Sequence, residues 1–311
     1  MFTAILMAAA TLAAPMETAV EIPGGLAPLK ATQLSPAAKP AAAVVILPGS
    51  GPTDRNGDNP LGVRAASYRL LAEGLAAEGV ASLRMDKRGM FASGPAAADP
   101  NAVTVIVLAA DANAWASDLK QRTGLPCAWL LGHSEGGLVA LIAATNDNPD
   151  VCGLILLATA GRPLGAVIRE QLQANPANAP LLPQALPAIN ELEAGRKVDT
   201  TGMHPALLPL FGPAVQGFLI ESFRQDPAAL MAKIDKPILV LQGETDLQVA
   251  VADARALKAA QPKATLVLLA QVNHVLKVAP SDRGPNFATY ADPSLPLAPG
   301  VVEAIAEFVK P

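Results

Sequence analysis

Gly132-His133-Ser134-Glu135-Gly136 separates two apolar runs, Cys127-Ala-Trp-Leu-Leu131 before it and Gly137-Leu-Val-Ala-Leu-Ile-Ala-Ala144 after it. The first run has the length of a buried strand and the second opens as a helix. A serine with glycines two residues before and two after fits a sharp strand-to-helix turn, because only small neighbours let the backbone close so tightly. Such a turn lifts the hydroxyl clear of the sheet and points the positive end of the helix at it. The competing reading is a glycine-rich turn with an incidental serine. A base and an acid elsewhere in the chain decide between the two.

A serine hydroxyl needs a base to take its proton before it can act as a nucleophile. The chain has three histidines. His133 lies inside the turn, where its side chain should project away from that of Ser134, and His204 falls in a Pro-rich segment with no strand before it. His274 follows the strand-like Ala264-Thr-Leu-Val-Leu-Leu269 and is the candidate base. The third member must be a carboxylate that fixes the imidazole tautomer. Pro237-Ile-Leu-Val-Leu-Gln242 reads as a buried strand, and Asp246 sits where the chain leaves it. Glu244, its nearest competitor, comes too early in the turn to reach across. Ser134, His274 and Asp246 are therefore the candidate catalytic residues.

Around this centre, strand and helix patterns alternate. Thr18–Ile22 and Leu29–Leu34 read as an opening antiparallel pair, Ala42–Leu47 as a buried strand, and Gly79–Arg84 as the next. Tyr68, Leu71 and Leu75 share a helical face, as do Leu108, Ala112, Trp115 and Leu119, whereas Val103–Val107 is β-rich and ambiguous. Cys152–Leu157 is a further strand, and Val301, Ile305 and Phe308 mark a final helix. This alternation predicts an α/β fold built on a mostly parallel, doubly wound sheet. It breaks between Gly161 and Lys236, where prolines punctuate helical pieces; Leu182, Leu186, Ile189 and Leu192 form one stripe, and Val215, Phe218, Leu219 and Phe223 another. The expected organisation is a core of residues 16–160 and 236–311 with a helical lid, 161–235, inserted after the sixth main strand. Phe218 and Phe223 are its candidate substrate contacts; in the plainer reading the stripes only bury each other.

Residues 1–15 read as a signal-peptide-like leader, apolar and ending in small residues, although no Lys or Arg precedes Lys30. The expectation is export to the periplasm or medium; the competing reading is an apolar tail or misplaced start on a cytoplasmic protein. No run is long enough for stable membrane insertion. With 311 residues, 51% of them hydrophobic and 16% charged, the chain can bury one large core and a lid. A net charge of −4 without a basic cluster gives no reason to expect nucleic acid, and two cysteines supply no zinc framework. No metal and no cofactor is expected. Cys127 and Cys152 open strands expected to be neighbours, about 4.8 Å apart, within reach of a disulfide. Both also lie beside buried strands where free thiols are common, so pairing stays open.

The order Ser, Asp, His resembles that of α/β-hydrolases. Within that superfamily the chain resembles bacterial serine esterases carrying a Gly-Ser-Gly-Pro-x-Asp-Arg motif after the third strand, here Gly49-Ser-Gly-Pro-Thr-Asp-Arg-Asn-Gly-Asp58. Arg84-Met-Asp-Lys-Arg-Gly89 and Gly132-His-Ser-Glu-Gly-Gly137 match as well, over roughly residues 17 to 311, while Pro48 departs from the His that many members carry. The resemblance implies an α/β-hydrolase fold and hydrolysis of a small-molecule ester through an acyl-enzyme. It also implies an oxyanion hole made by the backbone N–H groups of Ser50 and Glu135. Asp54, Arg55, Asp86 and Arg88 would hold the loops at the mouth. Thioesters, peptides or lactones are the alternative substrates, and a binding protein on an inactive scaffold is the alternative class.

Overall fold

A computed structural model describes residues 14–310, so all but the last two residues of the expected leader lie outside the described part. Eight strands form one sheet: β1 (Met16–Ile22), β2 (Leu29–Ser35), β3 (Ala42–Leu47), β4 (Val80–Met85), β5 (Ala128–His133), β6 (Val151–Leu157), β7 (Ile238–Gly243) and β8 (Thr265–Leu269), in the order β1-β2-β4-β3-β5-β6-β7-β8. β1 pairs antiparallel with β2, and β2 with β4; every other pairing is parallel. The α/β-hydrolase fold expected from the resemblance is thus present.

The central strands are covered on both faces, which is why they read as unbroken apolar runs. Alternate residues still sort to opposite sides. Val44, Ile46, Leu131, Ile155 and Leu157 face α1 (Ser67–Ala77) and α11 (Val301–Val309). Val45, Leu47, Leu130, Leu154 and Leu156 face α2 (Val105–Thr123), α3 (Glu135–Ala144) and α9 (Val251–Ala260). The ambiguous Val103–Val107 stretch resolves as the start of α2: Thr104 Oγ1 accepts from the Val107 N–H at 3.4 Å, and Leu108, Ala112, Trp115 and Leu119 are buried. A capped start and a packed face outweigh the modest β preference of Val105, Ile106 and Val107, the three β-branched residues of this stretch inside the helix.

Between β6 and β7 the chain forms α4 (Leu164–Ala174), α5 (Leu182–Glu193), α6 (Leu208–Phe211), α7 (Gln216–Phe223) and α8 (Pro227–Met231). These helices build a separate small core from Ile168, Ile189, Leu192, Phe211, Leu219 and Phe223. A last short helix, α10 (Arg283–Ala288), follows β8. Among the described residues, no single helix is long and apolar enough to cross a membrane. Cys127 and Cys152 form a disulfide, with Cα atoms 5.2 Å apart, at the start of β5 and β6. That is the sheet edge opposite Ser134, which leaves the far end of β5.

The order in which strands are added reverses between the parallel strands β3 and β5. From β3 the chain steps outward to β4, then returns to lay β5 on the other side. The crevice beyond the carboxyl ends of two such strands is where ligands bind in open α/β sheets. Both Gly49-Ser50 and Ser134 lie there.

Candidate active site

Register makes the site possible. Leu47 of β3 stands opposite Gly132 of β5, so the loop after β3 runs directly beside the turn after β5. The fit is too close for side chains: a Cβ on Gly136 would sit 2.3 Å from the Leu47 carbonyl oxygen, and one on Gly132 only 2.1 Å from that of Gly136. Ser134 takes φ 54° and ψ −117°, a conformation L residues rarely adopt. Its main chain is held there by Ser134 N–H to the Leu157 carbonyl at 2.9 Å and by Gly137 N–H to the Ser134 carbonyl at 3.0 Å. Backbone strain of this kind costs about 1–3 kcal/mol and persists only where packing over-determines it. Here, from Leu130 through Ala144, every residue is buried except Ser134.

The structure brings His274 and Asp246 together. His274 Nδ1 lies 2.8 Å from Asp246 Oδ2, both side chains being buried. Asp246 is itself held: Oδ1 accepts from the N–H groups of Gln248 at 2.7 Å and Val249 at 3.0 Å, and Oδ2 from Gln242 Nε2 at 3.2 Å. Burial pushes this carboxyl up, but the neighbouring His274 and the donated hydrogen bonds together hold it below the ordinary carboxylate range. An ionised carboxylate at Nδ1 fixes the proton on that nitrogen and leaves Nε2 as the basic one. Ser134 and His274 line one small cavity. Glu244, the competing acid, is exposed. His204 is exposed as well, its Nδ1 accepting from the Ala206 N–H at 3.2 Å.

His133 has a role the sequence did not disclose. Its Nδ1 lies 2.7 Å from the Tyr68 hydroxyl and its Nε2 2.8 Å from the His274 carbonyl oxygen. The Tyr68 oxygen accepts from the Gly49 N–H at 2.9 Å, so its own proton goes to His133 Nδ1, and His133 Nε2–H donates to His274. One buried chain of hydrogen bonds therefore ties the loop after β3, the turn after β5 and the histidine loop. Burial, with His274 beside it, pushes the His133 imidazole down to about 3, so it stays neutral. Nothing in the spacing of Tyr68 or His133 signalled this; it exists only once α1, β5 and the loop after β8 are packed together.

The N–H groups of Ser50 and Glu135, the expected oxyanion donors, have no acceptor among the described residues. Glu135 opens α3, where the first N–H groups lack intrahelical partners. Lys87 is buried beneath them: Nζ donates to the Gly49 carbonyl at 2.7 Å and lies 3.6 Å from Glu135 Oε1. Around this floor, Arg55 forks onto Asp86 (3.0 and 2.5 Å) and Arg88 onto Asp111 of α2 (2.9 and 2.6 Å), while Asp54 accepts from the N–H groups of Asn56 and Asp58 at 2.7 and 3.0 Å. Bidentate Arg–carboxylate pairs fix loop geometry well.

Two cavities meet at Ser50, Ser134 and Gln248. The larger, about 360 Å³, runs under the inserted helices and is lined by apolar side chains including Leu138, Leu164, Val167, Leu210 and Phe218. The smaller, about 110 Å³, is lined by His274, Thr53, Asn59, Tyr68 and Tyr290. Phe218 faces the larger cavity, but Phe223, paired with it as a substrate contact from the sequence, does not: it is buried in the inserted helices' own core. Five residues on one helix lie about 140° apart, so the two rings cannot share a target. Among the described residues, no cluster of three or more His, Cys, Asp or Glu could hold a metal ion.

Solved structures with this architecture include the esterase domain of a Rhodothermus marinus protein (18% identity, 95% of this chain and 98% of that one, TM-score 0.56). Est1E from Butyrivibrio proteoclasticus, solved with ferulic acid bound, is similar at 19% identity over 93% and 99% of the two chains, TM-score 0.58. Proline iminopeptidase from Mycobacterium smegmatis reaches TM-score 0.60 at 14% identity, over 94% and 97%. At such identities the likeness is one of fold alone. No curated protein sequence matches the chain. A sequence model described as "Alpha/beta hydrolase family" matches residues 44–284, most of the chain and a span that includes Ser134, Asp246 and His274, and the chain belongs to that family.

Proposed function

We propose that the protein is a serine esterase. The observation that carries the reading is Ser134 itself: a strained, partly exposed serine in a buried run, opening onto a cavity it shares with a histidine already bonded to an aspartate. Ser134 attacks the ester carbonyl as His274 Nε2 takes its proton, and Asp246 stabilises the imidazolium. The tetrahedral oxyanion sits on the Ser50 and Glu135 N–H groups, donors of a kind worth about 3–4 kcal/mol each. His274 then protonates the leaving alcohol, and water repeats the cycle on the acyl-enzyme.

Because His274 lines the smaller, more polar cavity, the alcohol leaves on that side and the acyl chain occupies the apolar cavity under the inserted helices. These helices act as the lid. The esterase domain and the Est1E structure with ferulic acid bound among the structural neighbours accord with ester cleavage. We also propose that the protein is exported, which the disulfide supports, since such bonds persist in oxidising compartments.

Labelling by a fluorophosphonate tests the nucleophile: the wild type should be modified at Ser134 and Ser134→Ala should not. Turnover of p-nitrophenyl esters alongside acyl-CoA thioesters, lactones and peptide arylamides tests the substrate class. Faster hydrolysis of any of the last three would displace the ester reading while leaving the mechanism intact.

A further inference from the structure

We propose that Lys87 is a positioning residue for the oxyanion hole, holding the Gly49 carbonyl so that the Ser50 N–H is aimed at the reacting oxygen. The inference rests on the serine-hydrolase reading above. A trans peptide is planar, with its C=O and N–H pointing in opposite directions. Fixing the Gly49 oxygen therefore fixes the direction of the Ser50 N–H. Lys87 Nζ does so at 2.7 Å, while the Tyr68 hydroxyl holds the N–H of the same glycine at 2.9 Å. Both peptide groups flanking Gly49 are thus pinned. No Cβ is present there to stabilise the loop by packing, and a Cβ at Gly49 would press on His133 Nδ1 at 3.3 Å.

Lys87 itself has little freedom. Its neighbours are clamped on opposite sides, Asp86 by Arg55 and Arg88 by Asp111. Burial alone drives its ammonium down and the Glu135 carboxylate at 3.6 Å opposes that. Burying a charge is expensive unless it is paired and hydrogen-bonded. A plain structural role would be met by an apolar residue of equal size; what an ammonium adds is a strong donor to one carbonyl. A positive charge on that oxygen also polarises the peptide and makes the Ser50 N–H a better donor. Lys87 lines the same large cavity as Ser50, Ser134 and Glu135.

The test uses Lys87→Met, which keeps the apolar stem, and the discharged pair Lys87→Met/Glu135→Gln, which avoids leaving a buried carboxylate alone; Glu135→Gln is the reference for the double variant. Each is assayed for kcat and KM on a short p-nitrophenyl ester and for affinity toward a trifluoromethyl ketone, which forms an oxyanion on Ser134. Thermal unfolding checks the fold. The expected result is a kcat loss on the order of 10²-fold in both Lys87 variants relative to their references, with KM nearly unchanged and trifluoromethyl ketone affinity falling in parallel. Recovery of kcat in the double variant would show that Lys87 only neutralises Glu135 and would overturn the proposal. So would a rise in KM with analogue affinity intact. A wild type that neither hydrolyses the ester nor binds the ketone would overturn the underlying hydrolase reading, and this inference with it.

Discussion

In the proposed mechanism Ser134, His274 and Asp246 act as one device, and their substitution should show it. Ser134→Ala, His274→Ala and Asp246→Asn are each expected to lower kcat by roughly 10⁴–10⁶-fold, and double variants should lose little more. Near-normal turnover in Asp246→Asn would remove the acid assignment. These three candidates could be picked out in the sequence because each follows an apolar strand and has few rivals: three histidines in the chain, and two acids, Glu244 and Asp246, just after β7. Tyr68, His133 and Lys87 could not. Each has a bland local explanation — helical stripe, turn filler, loop charge — and each acquires a partner only across the fold, 19, 141 and 38 residues away at Gly49, His274 and Gly49.

At the scale of elements, the inserted helices divide their aromatic residues between two tasks. Phe218 lines the large cavity and Phe223 is buried in the helices' own core. Phe218→Ala should shift acyl-chain preference while sparing turnover of the shortest ester. Phe223→Ala should instead destabilise the protein by about 3–5 kcal/mol, the usual cost of emptying a buried aromatic site. Chain-length profiles and urea midpoints of the two variants would separate the roles; identical profiles for Phe218→Ala and wild type would make its ring a packing group. The stripe Val215, Phe218, Leu219, Phe223 was visible in the sequence, but its phase was not. A helix covered on two sides, by its neighbours and by a cavity, offers apolar residues in both directions and gives no cue as to which side is which. The sheet posed no such difficulty, since the apolar runs of β3, β5, β6 and β7 and the glycine pattern around Ser134 all point to the same parallel arrangement.

Two expectations concern the molecule as a whole. His133 is held at about 3, against an ordinary imidazole value of 6.5, so between these limits the unfolded chain binds a proton that the folded chain does not. Stability should therefore fall as the pH drops from 6.5 toward 3, with His133 contributing up to about 1.4 kcal/mol per pH unit. Asp246, held below its ordinary range, acts in the same direction at the acid end of that window. Urea titrations at several pH values should show the loss, and His133→Gln should flatten the slope; an unchanged slope would mean His133 is not the group responsible. Removing the disulfide, which closes a separation of 25 residues, should cost about 3 kcal/mol of global stability.

That disulfide lies where β5 and β6 begin, whereas Ser134 lies where β5 ends. The six residues of β5 keep the two apart at about 3.3 Å each. Reduction should then shorten the protein's working life without slowing its turnover: a molecule in a reducing compartment would cleave substrate at full rate while intact, but open more often and be degraded sooner. Protease half-life and initial rate, measured side by side with and without dithiothreitol, should part company. For this protein the redox state of its surroundings would set how long it lasts, and the strand between bond and serine would keep that from setting how fast it works.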